Sequence, residues 1–186
     1  MHQEIKKTIE ILKQGGIILY PTDTVWGIGC DASNAEAVSK IYKLKKRIET
    51  KAMICLVADD RMLTKYIKRI PDAAQSIFDV AENPITIIYD DAQNLAPNLI
   101  AADKTIAIRI PDDEFCFQIC RKLNGAIVST SANISGAPTP KSFKEIPQEI
   151  IKGVDYVVNL HHEKKTTKPS SIIKLGNNGI VKVIRK

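Results

Sequence analysis

Apolar residues recur along the chain in two rhythms, one of period near 3.6 and one of short continuous runs. Ile5, Ile9 and Leu12 share a face of a helix over residues 3–14, stopped by Gly15-Gly16, and Ile17 to Tyr20 follows as a strand. Beyond a loop opened by Pro21, the residues Ala37, Val38, Ile41, Tyr42 and Leu44 return to helical spacing over 34–46. Ser33 and Glu36, three residues apart, read as a capping-box pair for that helix. Ala52 to Ala58 is apolar almost throughout, the pattern of a strand buried on both faces. Two helices broken at Pro71 are expected between Asp60 and Glu82, then a strand from Ile85 to Asp90 and a loop over 91–103.

The second half repeats the alternation. Thr105 to Ile110 reads as a strand, Asp112 as the cap of a helix running to Leu123, Asn124-Gly125 as its stop, and Ala126 to Val128 as a short strand. A helix over 142–151, a strand from Tyr156 to Asn159, a Lys-rich loop over 161–169 and strands Ser171–Leu175 and Ile180–Arg185 complete the pattern. Helices and strands that alternate without a linker or an internal repeat predict a single α/β domain over residues 1–186.

Composition changes this picture in one respect. A length of 186 residues, 44% hydrophobic and 26% charged, fits a globular chain with a proper core and excludes fibrous and disordered classes. The net charge of +6, with an isoelectric point near 9.1, adds an expectation of anionic partners. No apolar run reaches the ~18 residues of a membrane span, and the N-terminus reads as a charged amphipathic helix and not a signal peptide, so a cytoplasmic protein is expected. The four cysteines at 30, 55, 116 and 120 form no C-x-x-C pair and read as core thiols.

Candidate chemistry gathers in two stretches. Between Gly16 and Lys51 a strand stops at Pro21, passes through hydroxyls, one carboxylate and two glycines, and enters a helix whose end carries Lys45, Lys46, Arg47 and Lys51. Lys40 and Lys43 need no more than the helix dipole to explain them; the crowding beyond points to an anion, with phosphate first because Arg offers its oxygens a bidentate fork. Gly27, Gly29 and Ala32 match the loose G-x-G-x-x-A fingerprint, but six residues separate them from the strand, and no P-loop occurs anywhere. The second stretch, STSANISG at 129–136, sets four hydroxyls and an amide directly after a strand, where α/β folds hold ligands or simply make a turn. Arg109 sits in an apolar strand and faces either solvent or a ligand. His161 and His162 read as surface residues.

With those residues in view the chain resembles the YrdC/TsaC family of threonylcarbamoyl-AMP synthases, in its short, single-domain form. PTDTVWGIG at 21–29, KLKKR at 43–47, TIAIRIP at 105–111, STSANISG at 129–136 and KPSSIIKL at 168–175 match the family's motifs in order and spacing. The resemblance implies an open, twisted mixed β-sheet with surrounding helices and a central positively charged cavity. It implies condensation of L-threonine, bicarbonate and ATP, with Mg²⁺, to threonylcarbamoyl-AMP and pyrophosphate, a product used by separate transferase proteins that modify tRNA. It also carries double-stranded RNA or tRNA as a partner, and no membrane.

Carried over position by position, Thr24, Arg109, Ser131 and Ser170 match threonine-binding positions. Lys45, Arg47, Lys51, Thr105, Ser129, Asn133, Thr139 and Arg185 match the ATP side, with Lys45 and Arg47 expected to stabilise phosphate charge; no protein metal ligand is identified. Both nucleophile and leaving group belong to the substrates, so the protein is asked for positioning and positive charge. Departures from the family pattern are Ile48, Leu56 where many relatives have a threonine-contacting His, Glu82-Asn83-Pro84 and Lys174. Two other readings remain beside the synthase: a non-catalytic RNA-binding protein, for which an aromatic content of 5% offers few stacking platforms, and a YciO-like paralogue. The loop 161–169 is expected to be mobile without ligand.

Overall fold

A computed structural model describes residues 1–49, 52–165 and 168–186. Nine strands are seen among them, β1 (Ile18–Tyr20), β2 (Gly27–Gly29), β3 (Ile54–Leu56), β4 (Ile85–Tyr89), β5 (Ile106–Arg109), β6 (Ile127–Ser131), β7 (Tyr156–Val157), β8 (Ser171–Leu175) and β9 (Val181–Arg185). They form one sheet in the order β7-β1-β2-β6-β3-β5-β4-β8-β9. The pairs β1/β7, β3/β5 and β4/β8 are parallel and the others antiparallel, so the sheet is mixed as expected. The helices are α1 (His2–Lys13), α2 (Ala35–Leu44), α3 (Asp60–Leu63), α4 (Ala73–Val80), α5 (Glu114–Leu123) and α6 (Gln148–Gly153). None is long and apolar enough to cross a membrane.

The central strands run at the middle of the sheet because their side chains are buried almost completely: Ile18, Leu19, Tyr20, Cys55, Leu56, Ile127 and Val128 are all closed to solvent. α1 and α2 each turn one apolar face inward, Ile5 and Leu12 on the first, Ala37, Val38, Ile41 and Tyr42 on the second. Trp26 is the largest buried side chain and packs against Phe143, ring centres 5.0 Å apart.

Several boundaries differ from the sequence reading, each for a local reason. Asn34, not Ser33, caps α2, its side-chain oxygen accepting the Ala37 N–H at 3.0 Å, while Ser33 turns to Asp31. Asp113, not Asp112, caps α5, which releases the Asp112 N–H for Asp23. The expected helix over 142–151 is a 3₁₀ turn, Phe143–Glu145, followed by α6 beyond Pro147. α3 and α4 are short pieces of the region read as two longer helices.

Two differences bear on the site. Gly27–Gly29 is a strand and not a loop, because the glycines let β2 lie close against its neighbours: a Cβ on Gly29 would meet the Val128 carbonyl at 2.5 Å. β6 continues to Ser131, so the hydroxyls read as a loop begin on a strand and take fixed directions. The segment 91–103 has a packing role: Leu95, Ala96 and Leu99 are buried, and the Ala96 N–H donates to the Ala32 carbonyl.

Candidate active site

Gly27, Ser129, Ser131, Ile54 and Arg109 come side by side because β2, β6, β3 and β5 are successive strands, with Gly27 opposite Ser131, Ile54 opposite Ser129 and Leu56 opposite Arg109. Above them is a cavity of about 210 Å³. Of the residues expected from sequence, Thr24, Arg47, Arg109, Ser129, Ser131, Thr139, Ser170 and Arg185 line it. Segments from six parts of the chain therefore converge on one space, and three of the lining side chains are guanidinium groups.

Arg109 is 3% exposed. Its Nη1 donates to Asp23 Oδ1 at 2.6 Å and to Thr24 Oγ1 at 3.1 Å, a buried ion pair that fixes one edge of the guanidinium. Nε of the same group is buried and has no partner among the described residues. Buried donors are nearly always paired, so this N–H marks a place prepared for an acceptor. Thr24 is itself held in a turn, its N–H donating to Thr22 Oγ1, and Thr22 Oγ1 donating to the Val25 carbonyl at 2.7 Å.

On the opposite wall the Nε and Nη2 of Arg185 both donate to the Ser170 carbonyl, at 3.0 and 2.7 Å, and Ser170 Oγ shares a hydrogen with Thr86 Oγ1 at 2.7 Å. Burial, with the nearby Arg109 charge added, holds the Arg185 pKa below its ordinary value. Arg47 is half-buried on the rim, with Nη2 donating to the Ala52 carbonyl at 2.8 Å.

The remaining expected residues are placed differently. Thr105 is not part of the lining: its hydroxyl donates to Asp103 Oδ1 at 2.6 Å at the start of β5. Lys45 does not line it either, being 1% exposed with its ammonium donating to the Ser131 and Asn133 carbonyls. Asn133 sits behind the cavity, Nδ2 donating to the Ala137 carbonyl at 2.6 Å and Oδ1 accepting from Ser131 Oγ. Lys51 lies outside the described residues. Lys46, counted in the basic cluster, turns away to pair with Glu149 at 2.9 Å in solvent.

Sequence reasoning passed over Asp23, noted only as the loop's carboxylate; its role needed the fold to bring Arg109 beside it. It also took His162 for a surface residue. The imidazole is half-buried, stacked 4.0 Å from Phe143 and edge-on to Trp26, with Nε2 3.0 Å from the Val158 carbonyl. The loop expected to be mobile, 161–169, lies in part outside the described residues. Leu56 is fully buried and brings no polar group to the site. A second, larger cleft of about 740 Å³ adjoins through Asp23, but Asp59, Asp60, Glu82 and Asp112 make it a poor home for an anion.

Residues 10–186 match the Sua5/YciO/YrdC family, described as "Telomere recombination". A protein of Methanocaldococcus jannaschii is 37% identical over 187 residues, covering 97% of this chain and 86% of that protein. The threonylcarbamoyl-AMP synthase of Idiomarina loihiensis is 33% identical over 168 residues, covering 89% and 90%. Among solved structures, P. abyssi Sua5 complexed with L-threonine matches with a TM-score of 0.83 at 23% identity, over 94% of this chain and 52% of that one, so the chain spans about half its length. E. coli YciO matches with a TM-score of 0.86 at 23% identity, over 100% and 90%. At these identities both structures speak for the fold alone. The matched residues and the identities of the full-length relatives establish that the chain belongs to the Sua5/YciO/YrdC family.

Proposed function

We propose that the protein is an L-threonylcarbamoyl-AMP synthase. The observation that carries the reading is Arg109: a buried guanidinium anchored on one side by Asp23 and Thr24, with an unpaired Nε, beside two further guanidinium groups in one cavity. A carboxylate is the natural acceptor for such an edge, since its two oxygens match the planar N–H pair of Arg. The amino acid would seat its carboxylate there, with Thr24, Ser131 and Ser170 around it, while the phosphates of ATP lie toward Arg47 and Arg185.

The chemistry then asks little covalent work of the protein. The threonine amine and bicarbonate give a carbamate with loss of water; a carbamate oxygen attacks the α-phosphorus of ATP, the bond to the β-phosphate oxygen breaks, and pyrophosphate leaves with the electron pair. Arginine charge on the phosphate oxygens and a fixed approach of carbamate to phosphorus are what the site supplies. ATP enters as its Mg²⁺ complex, the ion counted with the substrate; among the described residues no group of three metal-ligating side chains occurs. The adenylate would pass to a separate tRNA-modifying transferase. The named relatives at 30% identity or more are synthases, which supports this reading over a purely RNA-binding one.

The test is pyrophosphate release by the purified protein from ATP, Mg²⁺ and bicarbonate, with L-threonine, L-serine or no amino acid. Release that requires threonine and bicarbonate, with the adenylate identified by mass, is the expected result. No release from folded protein in any mixture overturns the reading.

A further inference from the structure

We infer that Lys45 is a positioning residue, clamping the segment 131–135 so that Ser131 is held at the cavity and Asn133 directly behind it. The inference rests on the synthase reading for its functional meaning but on geometry for its substance. Lys45 is the residue that ends α2. A lysine at such a place ordinarily extends its stem and keeps the ammonium in water; here the whole residue is 1% exposed.

What the ammonium meets inside is main chain. It donates to the Ser131 and Asn133 carbonyls, and the Lys45 carbonyl accepts the Ser135 N–H at 2.8 Å. Both ends of one residue thus grip a five-residue turn. The turn closes on itself through the Asn133 N–H, which donates to the Ser131 carbonyl at 2.9 Å, and through the Asn133 side chain.

No carboxylate pairs with the Lys45 ammonium among the described residues. Burial, and the Arg47 charge beside it, push its pKa down to about 8. A cation held without a counter-ion is stabilised here by the two carbonyls: Ser131 accepts the ammonium in addition to the Asn133 N–H, and Asn133 accepts it at 2.7 Å. Arg47, two residues on, has the complementary placement, on the cavity rim and not beneath it. The basic cluster therefore divides its labour: Arg47 reaches the ligand, and Lys45 fixes the backbone from which Ser131 and Asn133 act.

The test compares Lys45→Met, Lys45→Arg, Asn133→Ala and Arg47→Ala. Amide hydrogen exchange over residues 131–135 in the unliganded protein and calorimetric binding of L-threonine and of MgATP are the readouts. With a clamp, Lys45→Met and Lys45→Arg both raise exchange in the segment and weaken threonine as well as ATP. Turnover per KM falls on the order of a hundredfold, as for a site displaced by about 1 Å. Asn133→Ala reproduces the pattern with Lys45 intact, and its effect is non-additive with that of Lys45→Met, as for groups in one network; it keeps the test open should a Lys45 variant not fold. Arg47→Ala weakens ATP alone and leaves exchange unchanged.

Retained activity in Lys45→Arg, or a loss in Lys45→Met confined to ATP with exchange and threonine binding unchanged, overturns the clamp in favour of direct charge on phosphate. The two proposals fail separately. A wild type that binds no threonine sinks the synthase reading, and a wild type that binds it no better than Lys45→Met sinks only the clamp.

Discussion

Asp23 offers a measurable consequence of the way this site is built. Its carboxylate and the Arg109 guanidinium lie 2.6 Å apart with side chains 8% and 4% exposed, so the pair is shielded from the solvent that makes surface salt bridges nearly neutral. Replacing Asp23 by Ala leaves the arginine charge buried and uncompensated and also strips the Asp112 N–H of its acceptor. Breaking a buried pair from one side costs about 3–5 kcal/mol, against a total of about 5–15 kcal/mol for an ordinary domain. For a urea slope of about 2 kcal/mol/M this lowers the unfolding midpoint by about 1.5–2.5 M.

Equilibrium urea unfolding followed by Trp26 fluorescence is the assay, and two controls make it specific. Formate, a carboxylate small enough for the vacated space, should raise the midpoint of Asp23→Ala more than that of the wild type, since it binds the folded state preferentially. Asp23→Leu combined with Arg109→Met should cost less than Asp23→Ala alone, because no orphaned charge remains. A loss below about 1 kcal/mol for Asp23→Ala, in the range of exposed pairs, would refute the claim that the pair is buried and that it orients Arg109.

Two further outcomes are expected. Burial and Arg47 depress the Lys45 pKa from 10.5 to about 8. Below that pH the lysine is charged whether folded or unfolded and its burial cost is felt in full; between about 8 and 10.5 the folded protein sheds the proton first, so stability rises with pH by up to about 1.4 kcal/mol per unit. The unfolding free energy of the wild type should accordingly gain about 1–2 kcal/mol on that of Lys45→Met between pH 8 and 9.5, and a flat difference would count against the depressed pKa. Gly29→Ala places a Cβ 2.5 Å from the Val128 carbonyl and 2.8 Å from the Tyr20 ring, neither able to yield, and should cost about 1–3 kcal/mol. Gly153→Ala meets only the end of the Leu44 side chain, which can turn away, so its midpoint in a thermal melt should stay within a degree or two while that of Gly29→Ala falls by about 2–12 °C, at about 2–4 °C per kcal/mol for a chain of this size.

That the sheet is mixed came from the family resemblance, but most strands, and the α/β class, could be read from sequence because apolar runs bounded by Gly, Pro and Asn announce them. β2 could not: Gly27-Ile28-Gly29 carries too little side chain for any pattern, and its strand character comes from the neighbours it approaches. Most of the cavity lining was legible through the resemblance, which carries over Thr24, Arg47, Arg109, Ser129, Ser131, Thr139, Ser170 and Arg185 by position; the residues alone pointed only to the basic helix end and the hydroxyls of 129–135 and left Arg109 open. Asp23, Thr22 and Thr86 escaped because each acts through a partner at least two residues and as many as 86 residues away in sequence. Hydrogen bonds of that span leave no mark on local composition.

The basic cluster shows how far charge counting can go. Lys45, Lys46 and Arg47 are consecutive, and on composition alone they sum to one strongly positive end of α2. Successive side chains at a helix end, however, leave the backbone about 100° apart, and Lys46 departs further by taking a left-handed φ of 50°. The three charges consequently reach three environments: Lys46 pairs with Glu149 in solvent, Arg47 faces the cavity, and Lys45 enters the protein between two carbonyls. Their sum is a fair guide to the sign of the ligand. Which of them touches it is decided by geometry after the helix has ended, and a substitution of the whole cluster would confound a ligand contact, a backbone clamp and a solvent pair in one measurement.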